Sequence, residues 1–214
     1  MALGVDWALA WLELSAEAMA DHRTELIELD RAIGDSDHGE NMDRGFQAVL
    51  QKLRESPPET AGAALKAAAM ALMSKVGGAA GPLYGTAYLR AATSLGDTAD
   101  VDAAALVAAL VAARDGIVAR GKAEPGDKTM VDAWTPAVEA AQRVAADGGD
   151  PLAALEAAAE AAQAGAVATE PLVARKGRAS YLGDRSAGHR DPGAQSTALL
   201  LRAAATAAKQ GASA

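Results

Sequence analysis

Three carboxylates crowd into eight positions near the start of the chain: Asp30, Asp35 and Asp37, followed directly by His38 and Gly39. Like charges this close repel, so folding alone gives no reason to gather them. A divalent cation does, because Mg²⁺ and Ca²⁺ take hard oxygen ligands and Mg²⁺ commonly shares them with substrate phosphates. The competing role is helix capping by Asp35 and Asp37, and spacing alone leaves both open. An EF-hand calcium loop does not fit, since Gly39 stands at loop position five and Glu40 at position six, where the glycine is required. His38 and Asn41, beside the carboxylates, are placed either to contact phosphate or adenosine or to make cap hydrogen bonds.

A metal shared with phosphate needs a phosphate side, and three loops offer one. Arg175 to Gly193 is the longest stretch without helical periodicity. Between Arg175 and Arg190 it carries a local charge of +4 (Arg175, Lys176, Arg178, Arg185 and Arg190 against Asp184) in a chain of net charge −8. Loops of that length in compact domains are functional or disordered, and the interleaving of Gly, Arg, Tyr181 and Leu182 favours a binding loop. Gly77-Gly78-Ala79-Ala80-Gly81-Pro82 would let backbone approach a ligand or pack helices tightly. Gly116 to Lys122 imitates a Walker A loop, but Ala123 stands where Ser or Thr is required and a helix precedes it. The segment from Gly121 to Thr129 still reads as a helix-to-helix loop whose N–H groups and following helix start would receive an anion. Asp191-Pro192-Gly193 reads as a turn closing the basic loop.

The elements that must position these residues are helical. Trp7, Trp11, Leu14, Ala18, Leu26 and Leu29 recur at helical spacing and predict one long amphipathic helix. Further helices are predicted at Asn41–Arg54, Glu59–Lys75, Leu83–Leu95, Asp102–Arg120, Thr129–Ala146, Pro151–Val173 and Ala194–Lys209. Asp150-Pro151 is a start signal, a capping carboxylate before proline at the first helical position. Pro136 should kink its helix or mark a later start. No alternating strand pattern appears, so the chain reads as an all-α, eight-helix antiparallel bundle forming a single domain over residues 1–214.

Composition narrows the function classes. Half of the residues are hydrophobic and few are aromatic, so the core is built from small side chains that suit closely approaching helices. Net charge −8 argues against general nucleic-acid binding. The chain has no cysteine, which excludes disulfides and thiolate metal sites. The first twenty residues do not read as a secretory signal. The longest apolar run, Ala103 to Ala113, spans eleven residues against the roughly 20 that cross a bilayer. A soluble cytoplasmic protein without membrane contact is the expectation.

Four separated segments, in order, carry a family resemblance: Leu29 through Gly39, Gly81 through Thr86, Gly121 through Met130, and Ala174 through Gly183 continuing by Gly188-His189 to Asp191-Pro192-Gly193. Together they resemble the nucleotide-binding L subunits of dihydroxyacetone kinases, from about residue 7 to 209. The resemblance implies an eight-helix barrel holding ADP or ATP at one end through two Mg²⁺ ions. It implies Asp30, Asp35 and Asp37 as metal ligands. His38, Gly39, Glu40, Asn41, Ala79, Ala80, Gly121, Met130, Arg178, Asp191, Pro192 and Gly193 would line the nucleotide, with Arg178 also offsetting phosphate charge during transfer. Two positions depart from the family pattern: Ala80 stands where serine is common, leaving phosphate to the backbone N–H, and Ser36 replaces Gly or Ala.

In phosphoryl transfer the protein mainly positions groups and neutralises charge. No general base for a sugar hydroxyl is evident, which fits a family in which a separate K subunit binds dihydroxyacetone. Free-standing L subunits resemble parts of phosphotransferase-system kinases, where bound ADP is rephosphorylated in place by a phosphohistidine M subunit. The absence of a fused domain before Ala214 favours that arrangement over a split ATP-dependent kinase for dihydroxyacetone or a related ketose. Outside kinases, the alternatives are a two-Mg²⁺ hydrolase, against which the basic loop argues, and a non-catalytic adenine-nucleotide sensor. Homodimerisation is left open.

Overall fold

The computed structural model describes residues 2–212. Among them are nine α-helices: α1 (Val5–Asp21), α2 (Arg23–Ile33), α3 (His38–Glu55), α4 (Ala61–Lys75), α5 (Ala80–Leu95), α6 (Ala103–Gly121), α7 (Val131–Ala146), α8 (Pro151–Ala168) and α9 (Pro192–Ala212). A 3-10 helix (Arg178–Ser186) lies in the basic loop. No strand is present among the described residues beyond one bridge between Leu3 and Val101, so the all-α expectation holds.

Eight of the helices close a ring. From α3 to α9 each packs against the next, and α1 packs against both α3 and α9; the connections from α3 to α8 are short, while α8 and α9 are joined by the long basic loop. α2 stands outside the ring against α3, α9 and the 3-10 helix, at one end of the barrel. The single long first helix expected from the sequence is therefore two. It breaks at His22, whose backbone (φ −95°, ψ 10°) leaves the helix and whose Nδ1 lies 2.6 Å from Glu25 Oε2. That break turns α2 across the barrel mouth and brings its C-terminus, with Asp30, to the start of α3.

Small side chains make the ring close. The main core cluster is dominated by alanine, and a small second cluster of Ile33, Ala174 and Ala179 lies where α2 meets the basic loop. The seam between first and last helix is tied by indoles: Trp7 Nε1 donates to Ala204 O at 3.0 Å and Trp11 Nε1 to Leu200 O at 2.9 Å. Trp7 and Trp11 stack with ring centroids 5.2 Å apart, and Trp11 reaches Tyr88 at 5.5 Å.

Helix starts follow local chemistry. Thr60, Asp102 and Asp150 accept hydrogen bonds from the N–H groups three residues on, at 3.1, 2.8 and 2.9 Å. Pro136 does not delay α7, which begins at Val131. Proline cannot donate to the carbonyl of Asp132, and α8 comes close at that place: a Cβ on Gly165 would lie 2.3 Å from Asp132 O. α5 starts earlier than expected, at Ala80, because Gly81 and Pro82 fall in its first turn, where proline's missing N–H costs nothing.

Candidate functional site

The alternation of helix directions sends the N-termini of α3, α5, α7 and α9 to the same end of the barrel. One open cleft there is lined at the starts of all four: His38 of α3, Ala79 and Ala80 at the start of α5, Thr129 and Met130 just before α7, and Pro192 and Gly193 of α9. The first N–H groups of a helix have no partner within it, and aligned peptide dipoles make each N-terminus electropositive. Four such ends around one cleft form a place built for an anion.

At its edge lies the acidic cluster. Asp30, Asp35 and Asp37 present carboxylate oxygens all within 4.8 Å of one another. The structure separates their roles. Asp30, at the end of α2, is 7% exposed, and its Oδ2 accepts from the backbone N–H groups of Asp37 (2.8 Å) and His38 (3.1 Å). Asp30 thus caps the start of α3 from the preceding helix, while Asp37, in the N-cap position, makes no side-chain cap bond. Gly34 leaves room for the other Asp30 oxygen, since a Cβ there would lie 2.0 Å from Oδ1. Ser36 takes the left-handed backbone (φ 65°) that folds the loop back. Three hard oxygen donors, one fixed by two N–H groups and given space by a glycine, fit an ion such as Mg²⁺.

Behind the cleft is a buried polar network. His38 Nε2 lies 2.9 Å from Ser196 Oγ, which lies 2.7 Å from Tyr84 OH. Tyr84 OH in turn reaches Gly193 O (3.0 Å) and Thr197 Oγ1 (2.9 Å). Burial lowers the His38 pKa against the opposing charges of Asp30 and Asp37, so the imidazole is neutral at neutral pH. Burial likewise raises the Tyr84 phenol, which stays protonated and able to donate. The network joins α3, α5 and α9 just below the cleft floor.

Asp191 is the N-cap of α9, its Oδ2 accepting from Ala194 N at 2.7 Å. Burial pushes its pKa up to about 7, held back by the Ala194 N–H, with Asp132 raising it further and Lys128 opposing. The folded chain therefore holds a proton that the unfolded chain has already released above the ordinary carboxylate range. Its stability at this site falls as pH rises through about 7. Thermal melts of the metal-free protein between about pH 5 and 8 should show wild type losing stability relative to Asp191→Asn; parallel profiles would contradict the assignment.

Other predicted residues take different places. Gly39 lies against α2, where a Cβ would meet Arg23 O at 2.2 Å. Glu40 is exposed and pairs with Arg23 Nη2 at 2.8 Å. Asn41 is buried, accepts from Arg44 Nη2 and abuts Gly77. Gly121 ends α6 behind Leu83, which itself lines the cleft. Arg178, two-thirds exposed, pairs with Asp35 Oδ2 at 2.9 Å and so links the basic loop to the acidic cluster. Arg190 is occupied by Glu170 Oε1 (2.8 Å) and Gln195 Oε1 (3.0 Å), which withdraws one of the five cations counted in the loop.

Sequence reasoning missed Lys128, Ile33 and Ala179 in the lining, as well as the Tyr84–Ser196–Thr197 network. The regular spacing of Ser196 and Thr197 on a helix gave no sign that they face a polar interior.

Comparison with known proteins accords with this geometry. The DAK2 domain family matches residues 32–206. The chain belongs to that family. It is 43% identical to the "PEP-dependent dihydroxyacetone kinase, ADP-binding subunit DhaL" of Escherichia coli K12, over 98% of this chain and all of that protein. It is 41% identical to the "PTS-dependent dihydroxyacetone kinase, ADP-binding subunit DhaL" of Lactococcus lactis, over 93% of this chain and 95% of that one. With the L-erythrulose 1-kinase of Mycolicibacterium smegmatis it shares 39% identity over 91% of its length, covering 34% of the longer protein. Among solved structures, the dihydroxyacetone kinase of C. freundii superposes with TM-score 0.71 at 27% identity, over 93% of this chain and 34% of that one. The same enzyme in complex with AMP-PNP and Mg²⁺ superposes at TM-score 0.68 and 28% identity, over 93% of this chain and 33% of that one. These relatives place this DAK2-family chain among the kinases. No helix among its described residues is long and apolar enough to cross a membrane.

Proposed function

We propose that this chain is the ADP/ATP-binding subunit of a phosphotransferase-system-dependent dihydroxyacetone kinase, a single DhaL-type domain over residues 1–214 working in the cytoplasm. The observation that carries the reading is the convergence of four helix N-termini and the Asp30, Asp35 and Asp37 carboxylates on one cleft. A nucleoside diphosphate with divalent cations is the ligand that needs both halves of that site. The two full-length relatives described as ADP-binding subunits support the choice of nucleotide.

In this reading Asp30, Asp35 and Asp37 would hold two Mg²⁺, which would supply positive charge to the phosphate chain. The chain's own groups do the rest. The N–H groups of Ala79 and Ala80 receive phosphate without the hydroxyl that a serine at position 80 would add. His38 and Met130 line the nucleotide beside Pro192 and Gly193, while Gly39, Glu40, Asn41 and Gly121 support the walls around it. Arg178, at the rim of the basic loop and paired with Asp35, is placed to offset charge on the phosphates. Among the described residues, Asp30 and Asp191 cap helices and Asp35 and Asp37 are given to the metal cluster, so none of these cleft carboxylates is assigned to activate a sugar hydroxyl. Acceptor chemistry therefore belongs to a K subunit holding dihydroxyacetone, and a phosphohistidine M subunit reloads the ADP in place.

Mixing the purified chain with a K subunit tests this directly. With ADP-loaded protein, turnover of dihydroxyacetone should require the phosphohistidine donor and stay at background with excess free ATP. Sustained turnover on ATP alone would overturn the donor assignment and favour a split ATP-dependent kinase. Turnover by this chain without any K subunit would overturn the division of labour.

A further inference from the structure

Lys128 is a buried cation that the reading above does not use. It sits between α6 and α7 with a left-handed backbone (φ 63°), is 1% exposed, and lines the cleft. Its Nζ donates to Thr169 O at 2.6 Å, Glu170 O at 3.3 Å, and His189 O. An ammonium carries three N–H donors. All three are committed to carbonyls, which leaves none to offer a phosphate.

What those carbonyls belong to gives the lysine its role. Thr169 and Glu170 form the turn after α8, and that turn also grips the returning end of the basic loop. Glu170 O accepts from Gly188 N at 2.7 Å, Thr169 Oγ1 accepts from Asp191 N at 2.9 Å, and the Glu170 carboxylate holds Arg190. Lys128 binds both sides of this junction, Thr169 and Glu170 on one and His189 on the other. Directly downstream lies the Asp191-Pro192-Gly193 start of α9, one of the four helix N-termini at the cleft.

We propose that Lys128 is a positioning residue of the nucleotide site, locking the end of the basic loop to the turn after α8 and so fixing the α9 N-terminus against the ligand. The inference rests on the nucleotide-binding reading. Burial disfavours the charged amine, and the carboxylates of Asp191, Glu170 and Asp132 oppose that effect, in keeping with an ammonium kept for its three donors.

Calorimetric titration of the full-length chain with ADP in the presence of Mg²⁺ tests the role. Wild type must bind; if it does not, the nucleotide reading itself fails and Lys128 is not in question. Lys128→Met keeps the approximate shape without donors. It should retain helical content, bind ADP about tenfold or more weakly, and be cleaved faster by trypsin at Arg185 and Arg190. Because the chain has no cysteine, Lys128→Cys can be alkylated at this one position while unfolded and then refolded. Aminoethylation rebuilds the ammonium and should restore both affinity and protease resistance, whereas propylation, which restores volume alone, should not. Wild-type ADP affinity in Lys128→Met, or equal rescue by the propyl group, would overturn the proposal. If Lys128→Met does not fold, Lys128→Gln, which keeps donors on a shorter side chain, carries the test: it should bind ADP severalfold more weakly and be cleaved faster by trypsin, and no change in either would overturn the proposal.

Discussion

Asp35→Ala should abolish retention of ADP and Mg²⁺ while leaving the metal-free protein melting at or slightly above the wild-type temperature. Of the three clustered carboxylates, Asp35 is the one whose removal separates binding from folding. Asp30 is buried and caps α3, so replacing it would disturb the helix start as well as the site. Asp35 is partly exposed, and its one ion pair, with Arg178, is a solvent-facing contact worth about 0–1 kcal/mol. Against that small loss stands relief of repulsion among oxygens within 4.8 Å of one another. Binding should suffer far more. Changes to groups merely surrounding a metal's ligands cost about 10–100-fold in affinity, so removing a ligand should exceed about 100-fold. For the stability comparison Arg178→Ala is the control, since it breaks the same ion pair but spares the carboxylate. Undiminished ADP binding by Asp35→Ala would mean that the cluster is not the metal site.

The largest stability effect should come from Trp11→Ala, at the seam where the barrel closes. Trp11 is 5% exposed, stacks on Trp7, contacts Tyr88 and donates to Leu200 O across the α1–α9 seam. Alanine neighbours cannot expand to fill the space left behind. The cost should be about 3–5 kcal/mol, which lowers the melting temperature by about 10 °C in a protein of this size. ADP binding below the melt should change little, because Leu200 lies about two turns along α9 from Gly193. Denaturant titration measures the loss; a value under about 1 kcal/mol would show that the seam is held elsewhere.

Much of this was legible in the sequence because its signals are local. Asp150-Pro151 announces a helix start, and the acidic cluster and basic loop stand out by charge alone. What stayed hidden depends on tertiary placement. The break at His22 carries neither glycine nor proline, so periodicity ran through it. Gly81-Pro82 reads as a breaker pair, yet it occupies a first helical turn where proline fits. Lys128 sits in a polar loop and reads as solvated, while only the fold supplies three carbonyls for its ammonium. Arg190 counts as a cation in the sequence, but Glu170, twenty residues earlier, neutralises it. The convergence of four helix N-termini is a property of ring closure that no segment reveals by itself.

Native mass spectrometry of the protein as purified bears most directly on the central claim that this cleft holds a metal-bridged nucleotide. The expected mass is that of the chain plus one ADP and two Mg²⁺, falling to the bare chain after treatment with a chelator and in Asp35→Ala. A bare chain that gains no mass on incubation with ADP and Mg²⁺ would contradict the account.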